Sequence, residues 1–463
     1  MEYLKREMWN KLADWKDRSH HPLVLSGLRQ TGKTFIARAF GEHRYGNVVY
    51  LDLRANRSVH EAFAGDFDVD KMVLSITANV ASARFVPHDT LLILDEVQDC
   101  PNARSSLKYW DLDGRYDVIA TGSFLGVKGF RDPYPRGIPV GYEEHLVMHP
   151  LNFQEFLQNS DVAEDVLTYA RRTLMAREPL LPAVHEGLRD LYLQYLVVGG
   201  MPEAVKQFLA THDLNAVRTT QRAILTSIRD DFGRYKNAKG EDAVNEVLKL
   251  RAEACLDSLP AQLAKEYKKF QYSKVNVRGN SPQKADGLRY LVDVGLVTKA
   301  YNLREISMPL EGAKIEREFK VFFVDTGLLV SQLEQGTAAH VLRGDLSAYK
   351  GAIAENMVAS ALATSEQELY YYHAPSGSPE LDFVMNLHGE ATIIECKSNN
   401  GRATSMRYVL ANPKKYGIHP AIKLADTNVG GGDGFLTLPL YALGFLNGQG
   451  ESLTVEPVSI RMP

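Results

Sequence analysis

The chain has 463 residues, 45% of them hydrophobic and 24% charged, with a formal net charge of −4. These proportions belong to a globular protein with ample core and length for roughly three domains. They exclude binding to nucleic acid through overall charge, so any such contact must come from a local basic patch. Cys100, Cys255 and Cys396 show neither metal-ligand spacing nor a disulfide framework, which points to a reducing cytoplasm. No apolar run approaches the roughly 18 residues of a membrane helix.

Leu4, Met8, Leu12 and Trp15 recur at helical spacing among charged residues, which predicts an amphipathic helix packed on the domain that follows. His20-His21 reads as a solvated linker. The apolar run Pro22-Leu23-Val24-Leu25 then leads into Gly27-Leu28-Arg29-Gln30-Thr31-Gly32-Lys33-Thr34, the pattern G-x-x-x-x-G-K-T, and on into the helical stretch Phe35–Phe40. Strand, loop and helix in this order are the context of a phosphate-binding loop. Gly27 and Gly32 let backbone N–H groups, those of Gln30 and Thr31 among them, turn around phosphate oxygens, and the helix N-terminus favours anions. Lys33 is expected to reach the β- and γ-phosphates, and Thr34 to hold Mg²⁺.

Further candidate strands are Val48–Leu53, Leu91–Leu94, Val118–Ala120 and Leu146–Met148. Their alternation with helical stretches predicts a largely parallel sheet covered by helices. Leu91–Leu94 closes on Asp95-Glu96, the second nucleotide motif: Asp95 for the Mg²⁺ shell, Glu96 to orient and polarise the attacking water. Thr121-Gly122-Ser123 offers a small polar side chain to sense the γ-phosphate, with Ser123 preferred over Thr121.

From 161 to 238 the pattern is helical, broken at Gly199-Gly200-Met201-Pro202. Between 239 and 338, a helix around Val244–Ala254 precedes Leu259–Lys265, and a further helix is opened by Ser281 as cap and Pro282. The β-like runs Val297–Tyr301 and Val321–Val324 follow, and helices followed by a hairpin suggest a winged helix-turn-helix. Lys265, Lys268, Lys269, Lys274, Arg278, Lys284 and Arg289 form a candidate DNA-phosphate surface; its alternative is a solvated helical face or a protein contact.

From 339 to 463 the order reads α-β-β-β-α-β. A helix carries Glu355, Val358 and Leu362; runs Leu369–His373, Glu380–Leu387 and Thr392–Cys396 follow, with a tight turn at His388-Gly389; a helix through Met406, Val409 and Leu410 and a strand Ala421–Ala425 complete it. Side chains at i and i+2 on a strand share a face, so Asp382, Glu395 and Lys397 can converge while Leu381, Phe383 and Cys396 turn into the core. Two carboxylates suit a hard cation such as Mg²⁺, and Lys397 can stabilise charge on a phosphodiester. Glu355 can complete the metal shell. This is the D-x(n)-E-x-K spacing of the PD-(D/E)XK nuclease fold; a surface hairpin of paired charges is its bland counterpart. Tyr370-Tyr371-Tyr372 reads as packing rather than a base-stacking platform, and Gly430–Gly434 as a flexible loop.

The segments "WKDRSHHPLVLSGLRQTGKTFIARAFG", "LLILDEVQ", "ATGSFLGV" and "IPVGYEEHLVMHPLNFQEFL" together resemble the prokaryotic AAA-type ATPases usually described only as ATP-binding proteins. "YLVVGGMPEAV", "FKVFFVDTGLL" and "GAIAENMV" extend the likeness over nearly the whole chain. The resemblance implies a five-stranded AAA-type core (1–160) with ATP as ligand, and a C-terminal domain of unknown function resembling PD-(D/E)XK nucleases (339–463). With the helical lid (161–238) and the winged-helix-like module (239–338) read from the residue pattern, the expected fold is α/β, the expected cofactors are ATP and Mg²⁺, and the expected partner is DNA. Where the family commonly has Gly-Arg, this chain has Gly141-Tyr142, so no arginine finger carries over. Arg131, Arg136, Arg229 and Arg234 are the candidates, and a finger acting in trans would require a homo-oligomer.

Overall fold

The structure, a computed structural model, describes residues 3–19, 21–123, 141–236, 242–265, 268–343, 350–397, 401–432 and 434–446. Its N-terminal third is a five-stranded parallel sheet in the order β2-β3-β4-β1-β5, with β1 Leu23–Gly27, β2 Asn47–Asp52, β3 Thr90–Asp95, β4 Asp117–Ser123 and β5 Glu144–Val147. β1 and β3 are buried at every position, as continuous apolar strands between two helical layers must be. The expected N-terminal helix spans Met8–Arg18 and buries Met8, Leu12 and Trp15 against Leu23, Leu25 and Phe40. β5 lies two residues earlier at its start than the apolar run predicts.

The helical segment begins with a reciprocal cap. The Asn152 side chain accepts from the Glu155 N–H, and Glu155 accepts from the Asn152 N–H. The helix Pro182–Val198 ends at the predicted break, and the helices Pro202–Thr211 and Leu214–Asp230 follow. After the short hairpin of β6 (Arg234–Lys236) and β7 (Asp242–Val244), one helix runs from Glu246 to Leu263 through Pro260, extending the helix expected around Val244–Ala254. The helix Ser281–Val294 is capped by Asn280, not Ser281: Asn280 and Gln283 exchange side-chain-to-backbone bonds, and Pro282 occupies the first turn.

The hairpin that follows, β8 (Val297–Leu303) with β9 (Lys314–Phe323), is not a free wing. The outer edge of β8 pairs in parallel with β10 (Leu369–His373). The hairpin thus joins β11 (Glu380–Leu387), β12 (Glu390–Lys397), β13 (Ala421–Ala425), β14 (Gly430–Gly432) and β15 (Phe435–Pro439) in one eight-stranded sheet, ordered β14-β15-β13-β12-β11-β10-β8-β9. The sheet crosses the boundary expected at 338/339. The predicted α-β-β-β-α-β order is present, and His388 and Gly389 make the β11–β12 turn at φ 53° and 83°. Gly430–Gly432, expected as a loop, pairs antiparallel with Phe435–Thr437.

A tight junction joins the two halves. The Leu151 N–H donates to the Gly200 carbonyl (2.7 Å), and the Gly200 N–H donates to the buried Asp325 carboxylate (2.5 Å), which also caps the next helix at Leu328 (2.8 Å). A Cβ on Gly200 would meet the Leu151 carbonyl oxygen at 2.0 Å, a backbone atom that cannot step aside. Gly200→Ala should therefore destabilise the protein by about 2–3 kcal/mol, read as a shifted urea midpoint. An unchanged midpoint would mean that the junction yields. Beyond Asp325, the Asn356 side chain accepts from the Phe323 N–H (2.8 Å) and donates to the Thr326 hydroxyl (3.2 Å), which places Glu355 next in sequence to the junction.

Candidate functional site

The glycine-rich loop sits at the carboxyl end of β1, between β4 and β5, and runs into the helix Lys33–Arg44. Gly27 has φ +153°, and a Cβ there would lie 2.3 Å from the Met148 carbonyl oxygen; Gly32 has φ +94°. Only glycine fits both demands at 27. The loop is held from several sides. Arg6 donates to the Thr31 carbonyl (3.0 Å), Gln30 donates to Ser227 (3.0 Å), and Arg29 pairs with Asp231. The last two contacts come from the helix Leu214–Asp230 and its end, so the helical segment closes directly on the loop.

Lys33 is 8% exposed and donates to the carbonyls of Gly27 (3.1 Å) and Leu28 (2.9 Å). Burial pushes its ammonium down to about 8, against the opposite pull of Glu96. Asp95 gathers three hydroxyls: Thr34 at 2.9 Å, Tyr50 at 2.7 Å, and Thr121. β3 and β4 pair Leu94 with Ala120, so Thr121 lies level with Asp95, while Ser123 pairs with Gly27 at the mouth of the loop. The Tyr50 contact is the one that sequence reasoning missed; Thr121, weighed beside Ser123, lies two residues deeper along β4 and bonds Asp95. Glu96 follows in a left-handed conformation, φ 54°, and its carboxylate accepts from Gln98. Of the finger candidates, Arg229 pairs with Asp257 at 2.6 Å. Arg131, Arg136 and the Arg234 side chain lie outside the described residues.

The second cluster lies on β11 and β12 with the helix Lys350–Ala363. Lys397 Nζ is 2.6 Å from Glu395 Oε1, and the Cys396 N–H donates to Asp382 (2.9 Å). Burial, then the neighbouring Glu355 and Glu395, pushes the Asp382 carboxyl up to about 8. Burial alone would raise Glu355 too, but Lys268 and Lys320 hold it below the usual carboxylate range. Burial raises Glu395 against the pull of Lys397. The structure brings Asp382, Glu395 and Lys397 together with Glu355 from the helix Lys350–Ala363. Glu355 Oε2 and Glu395 Oε2 are buried without a hydrogen-bond donor, and hard oxygens of this kind suit a divalent cation. Yet among the described residues no three His, Cys, Asp or Glu side chains are closed into a metal-binding set.

Of the seven basic residues expected to face DNA phosphates, three are engaged within the protein. Lys268 binds Glu355, Lys269 binds Glu318 at 2.8 Å, and Lys284 donates to the Val275 carbonyl at 2.7 Å. Lys265, Lys274, Arg278 and Arg289 are exposed. No helix among the described residues is long and apolar enough to cross a membrane.

Residues 19–157 match the family described as an AAA domain, which supports an AAA-type ATPase in this part of the chain. Residues 189–339 match a domain of unknown function (DUF8612), and residues 350–443 another (DUF4143). Among solved structures, the chain is similar to the Walker-type ATPase paby2304 of Pyrococcus abyssi at 13% identity and a TM-score of 0.40, over 71% of this chain and 96% of that one. It is also similar to Cdc6p from Pyrobaculum aerophilum (12% identity, TM-score 0.25, 74% and 97% covered). The RuvB Holliday junction branch migration motor of Thermotoga maritima is a third (13%, 0.28, 69% and 92%). No curated protein matches the chain.

Proposed function

We propose that ATP binding and hydrolysis in the N-terminal domain control a DNA-binding, Mg²⁺-dependent nuclease-like site in the C-terminal half. The observation that carries this reading is the convergence of Asp382, Glu395, Lys397 and Glu355 in one cluster of the C-terminal half.

In the first site the N–H groups from Gly27 to Thr34 cradle the phosphates, and Lys33 turns from its carbonyl partners to the β- and γ-phosphates. Thr34 and Asp95 would hold Mg²⁺, which neutralises phosphate charge when bound. Glu96 orients the attacking water, and Ser123 faces the γ-phosphate. Phosphate would restore the Lys33 charge that burial weakens, so binding takes up a proton where the free lysine is neutral. ATP affinity should hold below about pH 8 and fall as pH rises through that value. Calorimetry in buffers of different ionisation heat measures this uptake; none at pH 9 would sink the assignment.

In the second site Asp382, Glu395 and Glu355 would hold the cation, whose charge stabilises the phosphodiester under attack. Lys397 places its ammonium beside the same phosphate. Supercoiled plasmid and linear DNA should be cut by the wild type with Mg²⁺ or Mn²⁺ and left intact by Lys397→Ala. Cleavage by neither, with ATP turnover retained, favours a second reading: an ATP-driven switch whose nuclease-like fold binds nucleic acid or a protein partner without cutting. The charge balance supplied by Lys268 and Lys320, with no closed metal-binding set among the described residues, speaks for that second reading. In either case a homo-oligomer would supply an arginine in trans.

A further inference from the structure

The carboxylate cluster contains two lysines that lie far from its motif in sequence. Lys320, on β9, is 1% exposed; its Nζ lies 2.8 Å from Glu380 Oε1 and 4.0 Å from Glu355 Oε2, and 4.7 Å above the Tyr371 ring. Lys268 arrives from the stretch after the helix Glu246–Leu263. Lys269 bridges Lys320, and the Phe270 N–H donates to the Phe319 carbonyl at 2.8 Å, so this stretch is laid along the outer edge of β9. The register delivers Lys268 Nζ onto Glu355 Oε1.

Neighbouring buried carboxylates cannot all remain ionised without compensating positive charge. Here the protein supplies that charge itself, through Lys268, Lys320 and Lys397. A divalent cation would supply it equally, and Glu355 Oε2 and Glu395 Oε2, buried in residues 7% and 3% exposed, are the oxygens left without a donor. The three lysines differ in what holds them. Lys320 is anchored inside a strand with Glu380 as a second partner, and Lys397 belongs to the motif. Lys268 stands on the irregular stretch after the helix Glu246–Leu263, with Glu355 as its ion-pair partner.

We propose that Lys268 is a tethered counter-ion that competes with a divalent cation for Glu355, so that the stretch after the helix Glu246–Leu263 sets the cation affinity of the C-terminal site. This rests on the metal-site reading given above. The test is a Mn²⁺ titration of the full chain, without nucleotide or DNA, with free Mn²⁺ followed by electron paramagnetic resonance. Lys268→Met should bind Mn²⁺ roughly tenfold or more tightly than the wild type, since one competing charge has gone. Glu355→Gln should erase that gain, and Lys268→Arg should keep the wild-type affinity. Should Lys268→Met fail to fold, Lys268→Gln, which keeps a donor for Glu355 without the charge, carries the same expectation. Equal affinity in the wild type and the neutral variant, lost in Asp382→Asn, would overturn the role of Lys268 and leave the metal site standing. Absence of Mn²⁺ binding in all of them would overturn both.

Discussion

Glu96→Gln should bind ATP as the wild type does and turn it over roughly 10²–10⁴-fold more slowly. Gln matches Glu in shape and retains a carbonyl oxygen for the Gln98 amide, so the end of β3 keeps its geometry. It cannot polarise water as a carboxylate does. The backbone at 96 holds a non-glycine residue at φ 54°, a conformation that costs on the order of 1 kcal/mol and persists only where its surroundings impose it. Here it turns the carboxylate out of the strand direction, immediately after the buried Asp95. Equilibrium binding of a fluorescent ATP analogue and steady-state phosphate release separate the two effects. Intact turnover would remove Glu96 from this role.

Lys320→Met should destabilise the protein by about 3–5 kcal/mol, the cost of stranding buried carboxylates whose counter-charge has been removed. Glu355 and Glu380 would lose the ammonium that lies between them. The packing change is small, because methionine follows the same path as the lysine stem. The loss is electrostatic, so Lys320→Met/Glu380→Gln should recover a good part of it, and chemical denaturation of the single and double variants forms the cycle that isolates the pair. A single variant as stable as the wild type would mean that Lys320 is not the counter-charge of the cluster.

What the sequence revealed depended on how local the determinant was. The phosphate loop, Asp95-Glu96 and the i, i+2 spacing at 380–382 and 395–397 are written in adjacent residues, and the structure keeps them in the expected elements. The hydroxyls of Tyr50 and Thr121 on Asp95 depend on the alignment of three strands, which no single stretch encodes. Lys320 lies between Phe319 and Val321, just before the β-like run expected at Val321–Val324, and nothing in its neighbours marks it as a buried cation. Its burial follows from the pairing of β8 with β10, which brings the hairpin under the acids of β11. The same pairing removes the free wing that two helices and a hairpin suggest. The basic surface shrank for a related reason: Lys268, Lys269 and Lys284 are cationic in sequence but already have partners in the fold.

The eight-stranded sheet also constrains how the chain is made. β8 and β9 leave the ribosome long before β10, and the edge of β8 that will receive β10 stays unpaired through the intervening synthesis. An open strand edge beside apolar residues such as Phe319, Phe322 and Phe323 invites pairing with another chain. The N-terminal sheet is complete at Val147 and can close early, whereas the second sheet must wait for β15 at Phe435–Pro439. Release of a chain truncated between residues 340 and 370 would therefore yield a folded front half carrying a sticky hairpin, and aggregation, rather than a smaller working protein, is its natural fate.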